Sequence, residues 1–112
     1  LRRAVQKGEV SLAIRKSKQS EHDRNSPLYK QGKSYTYFSA DKAQRYILRL
    51  HGTGTLISSN KGEWGKKERV RSDEPIGVYV DLDGAEHETH NALIIYSNKG
   101  THIYPVREDV TS

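Results

Sequence analysis

The chain has 112 residues, 33% of them hydrophobic and 29% charged, with no Cys and no Met; this is the size of one domain with a modest core and excludes two full domains. Without Cys there is no disulfide, no thiolate zinc site and no Cys nucleophile. The net charge of +5 is uneven: residues 1–50 hold 12 Lys/Arg against 4 Asp/Glu (+8) and residues 51–112 hold 7 against 10 (−3). Such asymmetry favours a polyanionic partner for the front half, nucleic acid first and an acidic protein second.

A chain that starts at Leu1 and lacks Met is expected to be a piece of a longer polypeptide. No run approaches the roughly 18 apolar residues of a membrane span, so no membrane partner is expected. Residues 1–18 read as a lead-in linker or short, weakly amphipathic helix that places Leu1, Val5, Leu12 and Ile14 among many cations. Residues 19–112 read as a single domain. Within it, 20–35 is rich in Ser, Asn, Pro and Gly and is expected to be loop, with His22 exposed.

The clearest helix spans 39–54. Ala43, Tyr46, Ile47 and Leu50 recur at i, i+3, i+4 and i+7, Ser39 or Asp41 caps the start, and Gly52 stops it. Beyond it the period becomes two. The segments "TLISS", "EWGKKERVR", "IGVYVDL", "HNALIIYS" and "THIYPVR" alternate with turn residues, which predicts a meander of four or five antiparallel strands. The fold class is therefore α+β, with the N-terminal helix or helices packed on one face of the sheet and the other face free for a site.

Several short motifs fail as sites. "GKS" at 32–34 lacks the earlier Gly of a phosphate loop, because Pro27 stands there. "HGTGT" at 51–55 is a helix C-cap more readily than a phosphate nest. Asp81 and Asp83 are turn formers rather than a calcium loop, since Gly84 falls too early. His87 and His90, three apart on a strand, point to opposite faces and make a poor metal pair.

The stretch "YSNKGTHIYP", 96–105, reads as a hairpin. A two-residue loop, Lys99-Gly100, sets Ser97 opposite His102 on the open face. A three-residue loop instead pairs Ser97 with Thr101 and joins His102 to Tyr96 and Tyr104. Both registers stay open at this level.

"KQSEH" at 18–22, "YKQGKSY" at 29–35, "GTG" at 52–54, "EW" at 63–64, "KE" at 67–68, "IGV" at 76–78 and "YSNKGTHIYP" at 96–105 occur in an order and spacing that resembles bacterial toxin family fifty, the C-terminal domains of polymorphic and contact-dependent inhibition toxins. The family is similar to ribonucleases of the barnase, EndoU, colicin and RelE superfamily. The resemblance implies an antibacterial ribonuclease that cleaves RNA, transfer RNA favoured, by 2′-OH attack with no metal and no cofactor. It implies His22, His102, Ser97 and Thr101 as catalytic residues and Lys33, Ser34, Lys67 and Lys99 as phosphate binders. Ile95 stands where the family places a further histidine, and Lys33 where Arg is common. The implied partners are RNA, an immunity protein of acidic character and a larger carrier. That carrier would be secreted or on the cell surface and would deliver the domain to the cytoplasm of target bacteria. Two other readings remain: a non-catalytic RNA-binding module that stacks bases on exposed tyrosines, and a toxin with NAD-consuming chemistry.

Overall fold

A computed structural model describes residues 1–108; the last four residues of the domain expected over 19–112 lie outside it. The fold is α+β, with three helices and two antiparallel sheets. Helix α1 is Arg2–Gln6, α2 is Lys16–Gln19, followed by a 3₁₀ turn at Ser20–His22, and α3 is Ala40–Leu50. The strands are β1 Tyr35–Thr36, β2 Thr55–Ser58, β3 Trp64–Arg71, β4 Gly77–Val80, β5 Glu86–Thr89, β6 Asn91–Ile95 and β7 His102–Pro105. Among the described residues no helix is long and apolar enough to cross a membrane.

Helix α3 forms where its periodicity puts it. Ala43, Tyr46, Ile47 and Leu50 are its buried residues, Ser39 is the N-cap, and the chain leaves through His51 into Gly52 at φ 80°. Its apolar face lies on the four-stranded sheet, ordered β2-β3-β6-β7, in one cluster with Val70, Ala92, Ile94 and Ile103. Ile47, Ile94 and Ile103 are fully buried. Each such side chain stabilises the fold by about 1.5–3 kcal/mol relative to an exposed one. Leu1, Val5, Leu12 and Ile14 pack against the edge of this cluster.

The expected single meander is divided. Strand β3 pairs directly with β6, and the intervening hairpin β4–β5 turns away to pair with β1 in a sheet ordered β1-β4-β5. Gly77 permits the approach. A Cβ there would lie 2.3 Å from the Tyr35 carbonyl oxygen and 2.7 Å from Pro105, which no side chain tolerates.

The 96–105 hairpin adopts neither expected register. Ile95 pairs with His102, Ile94 with Ile103 and Leu93 with Tyr104. The connection is longer because a segment distant in sequence holds it. Ser11 N–H donates to Ser97 O (2.8 Å), Thr101 N–H to Ala13 O (2.9 Å) and Arg15 N–H to Thr101 O (2.9 Å). Residues 11–15 thus occupy the outer edge of the loop and set its path. Within it, Gly100 N–H donates to Ser97 O at 3.3 Å, and Gly100 sits at φ 122°.

Candidate active site

Strand alternation builds one wall of the site. Lys67, Ile95 and His102 are partners across β3, β6 and β7, and Arg69, Leu93 and Tyr104 form the next row, so these side chains share the face away from α3. Glu68 and Val70 take the opposite, buried face. The 3₁₀ turn lays His22 over this face from the other side. The His22 and Tyr104 rings stack 4.8 Å apart at 12°, and those of His22 and His102 are 6.1 Å apart at 13°. Lys18, Glu21, Lys33 and Ser34 complete an open cleft of about 440 Å³ with His22, Lys67, Ile95, His102 and Tyr104.

His22 is not exposed, as its loop context suggested, but only 8% accessible. The reason is the stack on Tyr104 and a bond within the cleft wall: Nδ1 lies 2.9 Å from Ser34 O. A carbonyl only accepts, so Nδ1 donates and Nε2 is the atom that exchanges protons.

Both imidazoles favour their neutral forms. Burial, joined by the charges of His22 and Lys18, pushes His102 down to about 4. Burial and Lys33 also lower His22, against the opposing pull of the Ser34 carbonyl and Glu21. Burial alone would raise the Glu21 carboxyl, but Lys30, Lys18 and Lys33 outweigh it and hold Glu21 below its ordinary value. Burial raises the Tyr104 phenol, which therefore stays a hydroxyl donor across the physiological range.

Of the sequence-derived site residues, the structure brings His22, His102, Lys33, Ser34 and Lys67 into one cleft. It does not bring the other three there. Ser97 is part of the turn: its Oγ donates to Gly100 O (2.7 Å) and accepts from Lys99 N–H (3.2 Å). Thr101 is fully buried, with its hydroxyl donating to Ser11 O at 2.6 Å, so it cannot touch a phosphate. Lys99 is exposed on the turn and does not line the cleft. The expected roles of these three came from the family resemblance; in the structure the pairing of residues 11–15 with the 97–101 loop turns Ser97 and Thr101 to holding that loop together.

Sequence reasoning missed Lys18, Glu21 and Tyr104. Tyr104 carried a readable signal, since it sits two residues from His102 on one strand and shares its face. The glycines of "HGTGT" have an anion after all, and it is internal. Gly52 N–H donates to Glu68 Oε1 (2.9 Å) and Gly54 N–H to Oε2 (2.8 Å), while the Tyr96 hydroxyl donates to Oε1. The Lys-Glu pair is thereby split, Lys67 to the cleft and Glu68 to the core.

Among the described residues no group of three His, Asp or Glu side chains is placed to hold a metal ion. What the cleft assembles is two imidazoles, several ammonium groups and two hydroxyls, a set suited to proton transfer beside an anionic group. No curated protein matches the chain. The family described as Bacterial toxin 50 does, over residues 14–105, a span that contains every side chain of the cleft. By that match the chain belongs to the Bacterial toxin 50 family.

Proposed function

We propose that the cleft cleaves RNA by metal-independent transfer of the phosphoryl group to the ribose 2′-oxygen. The observation that carries this reading is the pairing of His22 and His102, with rings 6.1 Å apart in a cleft ringed by cations. Two imidazoles this close disfavour double protonation, so the form of the pair that works carries one proton. The Ser34 carbonyl and the Glu21 carboxylate favour the charged form of His22. His102, which feels the charge of His22, is the ring that stays neutral.

His102 is then the base and His22 the acid. His102 takes the 2′-OH proton and the 2′-oxygen attacks the adjacent phosphorus. The bond from phosphorus to the 5′-oxygen breaks, and His22 Nε2 protonates the departing oxygen. The products are a 2′,3′-cyclic phosphate and a 5′-hydroxyl, and the proton count closes with the pair reversed. Lys33 and Lys67, with the Ser34 and Tyr104 hydroxyls, stabilise charge as it builds on the phosphate.

This reading makes the chain an antibacterial endoribonuclease. Transfer RNA is its favoured substrate, an acidic immunity protein its antidote, and a secreted or surface carrier its route into target cells. The cation-ringed cleft supports the polyanionic substrate and the acidic antidote alike. The test is incubation of total RNA with the folded protein in EDTA, followed by analysis of fragment ends. Fragments ending in 2′,3′-cyclic phosphate are expected. Intact RNA overturns the nuclease reading, and cleavage lost on adding EDTA overturns the metal-free course.

A further inference from the structure

Among the described residues no strand lies beside the outer edge of β7, yet the polar groups of Thr101 and Ile103 are met. Residues 13 and 15 serve Thr101 through their backbones. One step along, at Ile103, the chain has already turned into α2, and a parallel neighbour would be missing. Gln19 fills that place with its side chain: Nε2 donates to Ile103 O and Ile103 N–H donates to Oε1, both at 2.9 Å. A carboxamide has the donor and acceptor spacing of a peptide group, so one side chain completes the ladder. Gln19 is 1% accessible.

Its position matters for the site. Ile103 follows His102, and Gln19 lies one turn before His22. Among the described residues the His22 turn also meets the sheets through its ring stacks on Tyr104 and His102 and through the bonds to the 34–36 segment. We infer that Gln19 is the positioning residue of the two-histidine cleft: by standing in for a strand neighbour at Ile103, it fixes how far His22 lies from His102. Lys18 and Glu21, on either side of Gln19 in sequence, are carried into the cleft by the same tie. The catalytic consequence rests on the nuclease reading; the placement of the rings does not.

Two variants and two readouts test it. Gln19→Leu keeps the volume and removes both bonds. With RNA, kcat is expected to fall at least about tenfold while KM moves less than about threefold, because displaced acid–base groups lose rate before affinity. In parallel, the His102 ring is titrated by NMR without RNA. It faces His22, Lys18, Glu21, Arg15, Lys67 and Tyr104, and its low midpoint reflects burial and the His22 and Lys18 charges. Release of the His22 turn is expected to raise that midpoint towards 6.5.

Gln19→Glu supplies the rescue and covers a Leu variant that does not fold. A protonated carboxyl donates and accepts as the carboxamide does, whereas a carboxylate cannot donate to Ile103 O. The ratio of its activity to that of the parent protein, and its His102 midpoint measured on the acid side, are expected to approach parental values at low pH. The activity ratio then falls as the carboxyl ionises. A lower melting temperature with unchanged kcat and an unchanged His102 titration would make Gln19 merely structural and overturn the inference. If no RNA is cut by the parent protein, the nuclease reading fails alone and the ring titration still decides.

Discussion

His22 Nδ1 lies 2.9 Å from the Ser34 carbonyl oxygen, so any proton that His22 gives up leaves from Nε2, the atom free of that bond. The acid and base then titrate in a fixed order. On the proposed course, free protein needs His102 neutral, above about 4, and His22 charged, below its lowered midpoint, which lies under 6.5. The kcat/KM profile is expected to be bell-shaped, with its maximum between those limits. Bound phosphate favours both imidazolium forms, so the kcat profile lies at higher pH. A kcat/KM maximum above pH 8, measured on a short fluorogenic RNA, would contradict the pairing.

Stability is expected to share this dependence. The folded-state midpoint of His102 is depressed, so between pH 6.5 and about 4 the unfolded chain takes up a proton that the folded chain refuses. Stability from this group is complete above 6.5 and is lost as the pH falls towards 4. Glu108, held down to about 2 by its His90 and Arg71 partners against the cost of burial, contributes its own loss only at lower pH. His102→Gln should remove the earlier loss, which is roughly 2 kcal/mol after allowance for partial exposure. Urea unfolding at pH 7.5 and at pH 5 would show the variant losing less stability than the parent protein, with the remaining loss coming from His22, whose midpoint is also lowered.

His22→Ala and His102→Ala are each expected to slow RNA cleavage about 10²–10⁴-fold. The double variant should be little worse than the singles, because the two rings act as a unit. Losses that multiply would show independent roles.

The lysines divide by location. Lys67→Ala is expected to slow cleavage about tenfold, since it removes a cation from beside the phosphate. Lys99→Ala should leave the rate within about twofold, because Lys99 sits on the turn outside the cleft. Equal losses at the two positions, measured at fixed ionic strength, would move the phosphate site towards the turn.

Glu68→Gln should destabilise the fold by about 2–4 kcal/mol. The buried carboxylate accepts from Gly52, Gly54 and Tyr96, and an amide NH₂ group would face one of those donors. The shift in urea midpoint reads it directly.

Parts of this architecture were legible because they are local. The period of 3.6 in 39–54 named all four buried residues of α3, and the alternation after Gly52 located five of the six later strands, missing β5 at Glu86–Thr89, whose exposed, charged residues carry no apolar alternation. Residues 96–105 show where local reading stops. Turn chemistry at Asn98, Lys99 and Gly100 allows short loops, but the observed register depends on Ser11, Ala13 and Arg15, some 85 positions earlier in the chain. His22 is similar: polar neighbours suggest exposure, and contacts with Tyr104 and Ser34 bury it. Glu68 could have been read. It alternates with Val70, so a buried face for one meant a buried face for the other.

The opposite fates of Lys67 and Glu68 bear on how β3 finds its place. If the strand slid by one residue, an ammonium group would enter the core, the Gly52 and Gly54 N–H groups would lose their anion, and a carboxylate would face the substrate. Mispairing is thus penalised twice by the same step, once in folding energy and once in electrostatic sign. Adjacent opposite charges on β3 tie the sign of the cleft to the register of the strand, so one slip would cost both stability and the positive charge of the cleft.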